Sequence, residues 1–330
     1  MCLKSSRIAV LENEADHMPR QRFQPFCGMF LPIGETVFEF LPHPSFPGEK
    51  ENVFYLEGGT AFLYKVLNVD TGAPYALKVF KRGFRMRQIA TLSAALARYE
   101  NLPALRVEQR QCITRARDAE LIRTYPEMEY AILMPWISTP SWAGLLLNPQ
   151  FSSTYTFEQA RTLARATASA LSALEARGIA HADIAGSNLV PAADKQQVQL
   201  LDLENMYLPG LPPPQKKSQG TPGYQHQRLG PDGQWCPEGD RFAGAILLTE
   251  MLTWWNARVR ARVPEDAESL FRPEELQTQE ALCLPVVRDT LYTLSPRLLE
   301  LFDQAWLSRT LEECPPLRAW AAALSSIRNT

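Results

Sequence analysis

The chain has no Cys-x-x-Cys pair, no long apolar run and almost no net charge. Its six cysteines (Cys2, Cys27, Cys112, Cys236, Cys283 and Cys314) are scattered. That argues against a zinc site and suits reduced thiols in a cytoplasm. No stretch approaches the length needed to cross a bilayer, and Met1-Cys2-Leu3-Lys4 leads into a polar segment. Neither a signal peptide nor a membrane anchor is expected. A formal net charge of −2 and an isoelectric point near 6.2 give no reason to expect nucleic acid as a partner. No internal repeat is visible. The expectation is a soluble, cytoplasmic protein with no membrane contact.

What is present is enough apolar character for a full core: 45% of 330 residues are hydrophobic. That length holds one large domain or two small ones. Residues 1–52 are dense in Pro and Gly towards their end and read as an extended or looped N-terminal extension. Their phenylalanines (Phe23, Phe26, Phe30, Phe38, Phe40, Phe46) imply that the segment packs on something. It is either a partner-binding tail or a strap lying on the rest of the protein, and the strap is the favoured reading.

From Val53 the pattern turns to strands: Val53–Leu56, Ala61–Val66 and Tyr75–Phe80, with Asp70-Thr71-Gly72-Ala73 as the turn between the last two. Phe84 to about Tyr99 reads as a basic helix, and Ala131–Met134 as a further strand ended by Pro135. The second half reads as helical. Thr156-Phe157-Glu158-Gln159 has the capping-box spacing, Gly178 sits where a helix C-terminus favours it, and Ser295-Pro296 opens another helix. Residues 208–223 read as an exposed loop. Strands first and helices second is an α+β pattern.

The segment His181-Ala182-Asp183-Ile184-Ala185-Gly186-Ser187-Asn188, followed by Val198-Gln199-Leu200-Leu201-Asp202-Leu203-Glu204, carries the chemistry. It sets an Asp and an Asn close together in a loop, then a second Asp after a stretch just long enough for a short hairpin. Phosphoryl transfer needs such groups: a carboxylate to orient an attacking hydroxyl, and an amide and carboxylate to hold Mg²⁺ against phosphates. Lys78 stands inside an apolar strand, where an amine needs an anionic partner. ATP phosphates are the favoured partner, and a strand-edge lysine reaching solvent is the blander alternative.

These segments resemble the protein kinase-like superfamily, in particular atypical bacterial-type serine/threonine kinases. His181-Ala182-Asp183 with Asn188 is similar to the family's His-Arg-Asp catalytic loop, and Asp202-Leu203-Glu204 stands for its Asp-Phe-Gly. Tyr75–Phe80 resembles the strand bearing the ATP-anchoring lysine, and Gly220-Thr221-Pro222-Gly223-Tyr224 the end of an activation segment. Asp240–Met251 resembles the buried helix beneath the catalytic loop. The matches run from about residue 53 to 320.

The resemblance implies an α+β, bilobal protein kinase-like fold: a small β-rich N-lobe over 53–137 and a larger helical C-lobe over 138–330. It implies ATP and Mg²⁺ (or Mn²⁺) as cofactors. Asp183 would be the catalytic residue, Asn188 and Asp202 the metal ligands, and His181 structural. Gly58, Gly59 and Lys78 would meet phosphate, while Met134, Pro135 and Ile137 would line the adenine site, Pro135 needing only its carbonyl. Asp240 would tie down the catalytic loop, and Arg318 would be scaffold.

The departures are also informative. Leu56 and Ala61 replace two loop glycines, and no acid stands at the usual distance from Lys78, with Gln88 or Glu100 the nearest candidates. Ala182 replaces the arginine that reads a phosphorylated loop, so activity is expected to survive phosphatase treatment. Ala185 replaces a lysine, and Glu204 a glycine, where it is either a neighbour of the metal on an extended strand, the favoured reading, or an anchor for a nearby Arg or Lys. The implied function is a protein serine/threonine kinase acting on a protein substrate. A pseudokinase scaffold is the alternative, and a small-molecule kinase the third.

Overall fold

The computed structural model describes residues 22–45, 52–215, 217–230, 233–264 and 269–327. Phe46 and the Met1–Lys4 stretch lie outside them. The chain divides into two compact units. Unit 1 runs to Ala94 and adds Glu108–Trp136, while unit 2 combines Ala95–Val107 with the chain from Ile137.

Unit 1 is built on a curled antiparallel sheet. Its strands are β1 (Phe30–Ile33), β2 (Thr36–Phe40), β3 (Tyr55–Glu57), β4 (Ala61–Asn68), β5 (Pro74–Phe80), β6 (Gln111–Cys112) and β7 (Ile132–Pro135). The order is β1-β2-β4-β5-β7-β6, with β3 pairing β4 beside β2. Leu31, Ile33, Phe38, Phe40, Val66, Leu77 and Leu133 point into one apolar core that also takes Phe23 and Tyr64. Asn68 shapes the β4–β5 turn: its Oδ1 accepts from the N–H groups of Asp70 and Thr71 at 3.0 Å each. Gly72 then supplies a left-handed residue at φ 68°.

The N-terminal extension corrects the looped reading. Residues 30–40 form a hairpin that joins the sheet, with Phe38, Glu39 and Phe40 paired to Asn68, Leu67 and Val66 of β4. Pro32 misled because proline argues against strands, yet β1 is an edge strand, where a missing N–H is tolerated. Gly34, at φ 60°, closes the tight turn. The helix read from Phe84 begins later, as α1 (Arg87–Leu96), because Arg82–Phe84 forms a 3-10 turn and Arg85 is extended. β6 and α2 (Ala119–Thr124) had no clear sequence signal.

Unit 2 is helical around one short hairpin. Its elements are α3 (Trp142–Leu146), α4 (Pro149–Thr154), α5 (Phe157–Glu175), β8 (Leu189–Pro191), β9 (Val198–Leu200), α6 (Arg241–Thr253), α7 (Ala257–Arg260), α8 (Pro273–Thr278), α9 (Leu284–Leu294), α10 (Pro296–Trp306) and α11 (Leu317–Ser326). The α5 capping box forms: Thr156 Oγ1 accepts from Gln159 N at 3.3 Å, and Gln159 Oε1 accepts from Thr156 N at 3.1 Å. Gly178 follows the helix at φ 66°. Ser295 caps α10 by accepting from Arg297 N.

α6 is apolar almost all round and buried from Phe242 to Thr253, with α5, α9, α10 and α11 packed on it. The architecture is mixed α+β. Among the described residues, no helix is long and apolar enough to cross a membrane.

Candidate active site

In unit 2 the segment 180–208 folds back on itself, tied by backbone pairs and by the side chains of His181, Asn188 and Asp240. Ala180 and Tyr207 exchange hydrogen bonds of 3.1 and 2.8 Å. Within that loop β8 and β9 pair antiparallel, Leu189 opposite Leu200. Just beyond the pairing, Leu201 N donates to Asn188 O at 2.9 Å. The His181 ring then donates from Nε2 to Leu201 O at 2.6 Å. Leu201 is thus held at both its N–H and its carbonyl, and Asp202 follows directly.

Asp202 adopts a left-handed backbone (φ 54°), which turns the chain into the 3-10 turn Leu203–Asn205. A non-glycine residue there costs about 1 kcal/mol or more, so the surrounding ties must hold it. Glu204 consequently lies in a 3-10 turn, and the extended strand expected for it is not formed.

Asp240, at the N-terminus of α6, fixes the other side of the loop. Its Oδ2 accepts from His181 N at 2.7 Å and its Oδ1 from Ala182 N at 2.8 Å. Burial pushes this carboxyl up from its ordinary range, while His181 and the two N–H groups oppose the shift. Ala182, at φ 62°, is also left-handed and is pinned by that bidentate contact.

Asp183 itself is half-buried and receives a hydrogen bond from Thr221 Oγ1 to Oδ1 at 2.8 Å. Asn188 Nδ2 donates to Asp183 O at 2.9 Å, which commits the amide nitrogen and leaves its oxygen as the group for a cation. The structure therefore brings Asp183, Asn188 and Asp202 to one loop cluster. Sequence reasoning missed Thr221, because the hydroxyl and its carboxylate partner are 38 positions apart.

A second buried carboxylate, also missed, underlies the same loop. Glu250 accepts from Trp142 Nε1 at 2.6 Å and Tyr224 OH at 2.9 Å, both on Oε1, and from Leu270 N at 2.5 Å on Oε2. Burial raises its pKa to about 7, against the pull of those three donors. Its signal in the sequence was a lone acid within the apolar run of α6.

Arg318, expected as scaffold, is exposed. Its end of the chain is tied instead through Glu175, whose Oε1 pairs Arg241 Nε at 2.6 Å and whose Oε2 accepts from Leu317 N at 2.9 Å.

The remaining sequence-derived residues belong to unit 1, except Ile137, which opens the long segment of unit 2. Lys78 lies on β5 between β4 and β7 and is only 7% exposed, which excludes a lysine reaching solvent. Its Nζ sits 5.6 Å from the Phe80 ring centroid. Gly58 and Gly59 form the β3–β4 turn, and neither has a positive φ. Gly58 N donates to Ala61 O at 2.9 Å, so that N–H is already used. A Cβ at Gly59 would meet nothing within 4 Å.

Met134 packs beside Ile132 and Phe80, and Arg110 Nη1 lies 3.0 Å from its sulfur. Trp136 N donates to Pro74 O at 3.0 Å. Strand alternation therefore aims the Pro135 carbonyl at the other edge of β7, past the residues that β6 pairs.

No protein-family model and no curated protein matches this chain.

Among the described residues no group of three His, Cys, Asp or Glu side chains could cage a metal. The donor set fits Mg²⁺ in another way. A hard cation takes one or two protein oxygens and fills its sphere with phosphate and water. The Asn188 amide oxygen and the exposed Asp202 carboxylate are such a pair.

Proposed function

We propose that the protein is an ATP- and Mg²⁺-dependent phosphotransferase of bilobal protein kinase-like fold, transferring to a serine or threonine hydroxyl of a protein substrate. The observation that carries this reading is the cluster of Asp183, Asn188 and Asp202, held by Asp240 on one side and by the His181–Leu201–Asn188 ties on the other. Asp183 would accept the proton of the attacking hydroxyl. Asn188 and Asp202 would hold Mg²⁺, which when bound neutralises charge on the transferring phosphoryl group. Lys78 and the Gly58–Gly59 turn would contact ATP phosphate. The Pro135 carbonyl would accept from adenine, with Met134 and Ile137 beside it.

The test is γ-phosphate transfer from ATP, with Mg²⁺ or Mn²⁺, to the protein itself and to a generic basic protein. Transfer is expected to fall by at least about 100-fold in Asp183→Asn, the range of a lost general base. Transfer that persists at the wild-type rate in the variant would sink the assignment of Asp183.

One observation favours a second reading, a pseudokinase that binds nucleotide without catalysis: the Gly58 N–H is spent on Ala61 O. ATP that raises the melting temperature with no transfer to any acceptor would select it. Transfer to small hydroxyl compounds in place of protein would select the third, a small-molecule kinase.

A further inference from the structure

We propose that Glu250 is the positioning residue of the catalytic loop, acting through Trp142 and Tyr224 on Gly186 and so on the segment from Asp183 to Asn188. This rests on the phosphotransferase reading, and it adds a control that the reading does not contain.

The geometry is a clamp with one anchor and two jaws. The anchor is the Glu250 carboxylate, fully buried in the last turn of α6. The jaws are Trp142, the first residue of α3, and Tyr224, at the end of the Gly220–Tyr224 segment, both bonded to Oε1. Both close on Gly186. A Cβ built there would lie 2.9 Å from Tyr224 OH, 3.0 Å from Trp142 Cδ1 and 3.3 Å from Ala143 N. The Gly186 backbone also hydrogen-bonds the Tyr224 hydroxyl.

Gly186 opens the 3-10 turn Gly186–Asn188, and Asn188 N returns to Ala185 O at 3.1 Å. A shift of either jaw therefore moves the turn that carries Asn188, whose amide holds the Asp183 carbonyl. The same Gly220–Tyr224 segment supplies Thr221 to the Asp183 carboxylate. One buried acid thus braces both the loop and the segment that meets it.

Glu250 also makes the clamp sensitive to pH. As a carboxylate it accepts all three donors, and the Tyr224 hydroxyl donates to it while bonded to Gly186. Protonation puts a fourth hydrogen into the pocket and turns an acceptor into a donor, so a jaw must reorient or lose its bond. With the pKa raised to about 7, this change falls near neutrality.

The titratable groups facing Glu250 are Tyr155 and Tyr224, and burial beside Glu250 raises both well above the ordinary tyrosine range. Several charged groups on the helices packed around α6 are engaged elsewhere. Arg161 of α5 pairs with Glu158, Glu175 with Arg241, and Arg288 of α9 with Asp303 of α10, while Arg318 of α11 is exposed.

The test compares wild type, Glu250→Gln and the milder Tyr224→Phe, in transfer rate against pH and in hydrogen exchange of the 183–188 amides. In wild type, kcat is expected to rise through pH about 7. In Glu250→Gln it should be about 10-fold or more lower and lack that rise, with KM for ATP unchanged, as misplacement of a catalytic group predicts. Exchange of the 183–188 amides should be faster in both variants at pH 8, and in wild type at pH 6 than at pH 8 after correction for the intrinsic rate.

Folded variants with wild-type exchange in that segment and a wild-type pH profile overturn the proposal. The exchange arm needs no activity. If wild type transfers no phosphate yet the exchange differences appear, the phosphotransferase reading fails and the clamp stands.

Discussion

The two units hold their polar groups in different ways. In unit 2 the candidate loop is braced by side chains from elsewhere in the chain: the buried Asp240 under His181 and Ala182, the buried Glu250 under Trp142 and Tyr224, and the half-buried Thr221 on Asp183. In unit 1 the corresponding residues rest on strand register. Lys78 and Pro135 are set by the pairing of β5 with its neighbours, and Gly58 and Gly59 occupy an ordinary turn. Braced groups sit where departures of a few tenths of an ångström matter. Registered groups sit where direction suffices. Substitutions should therefore be costly in unit 2 and cheap in unit 1.

The largest effect is expected at Asp240. Asp240→Ala leaves two buried N–H groups without acceptors and removes the brace on a left-handed Ala182, a loss of about 3 kcal/mol or more. Urea unfolding should show it as a lower midpoint at unchanged slope. A loss under about 1 kcal/mol would remove the brace from the account.

Next comes pH. Glu250 has a folded pKa of about 7 against an ordinary 4.5, so between those values the native state holds a proton that the unfolded chain releases. The Glu250 contribution is full below pH 4.5 and is lost as pH rises to 7, at most about 3 kcal/mol. His226 acts in the opposite sense. Burial lowers its pKa from 6.5, so its contribution is present above that value and is lost on acidification. Unfolding of wild type and Glu250→Gln at pH 5 and pH 8 separates the two. Wild type should lose stability towards pH 8 relative to the variant, and equal pH slopes would refute the assignment.

Gly186→Ala should cost about 1–3 kcal/mol, because three atoms lie within 3.3 Å of the added methyl. Calorimetry reads this as a lower melting temperature. The smallest effect is Gly59→Ala, with open space and an ordinary φ, expected within about 0.5 kcal/mol of wild type. A larger loss there would erase the contrast between the units.

The sequence exposed what is local. The capping box of α5, the turn before β5 and the hairpin between Asn188 and Asp202 were each legible, because a few neighbouring side chains decide them. The candidate loop was legible for the same reason: Asp183 and Asn188 are only five positions apart. The braces were not. Thr221 meets Asp183, and Trp142 meets Glu250, across long stretches of chain, and no spacing rule links them. Only the isolation of Glu250 in an apolar helix hinted that it had partners. The N-terminal hairpin was hidden by Pro32 and by the glycines around it, residues whose meaning reverses between an edge strand and a loop.

That hairpin has a practical consequence for anyone preparing a shorter chain. A protein begun at Val53, where the strand pattern first becomes obvious, would discard β1 and β2 and with them Leu31, Ile33, Phe38 and Phe40 from the unit 1 core. It would also uncover the Val66–Asn68 edge of β4, which β2 normally pairs. An apolar core face opened beside a bare strand edge is a template for self-association. The minimal soluble fragment should start before Phe23, and fragments starting near residue 53 should go to inclusion bodies.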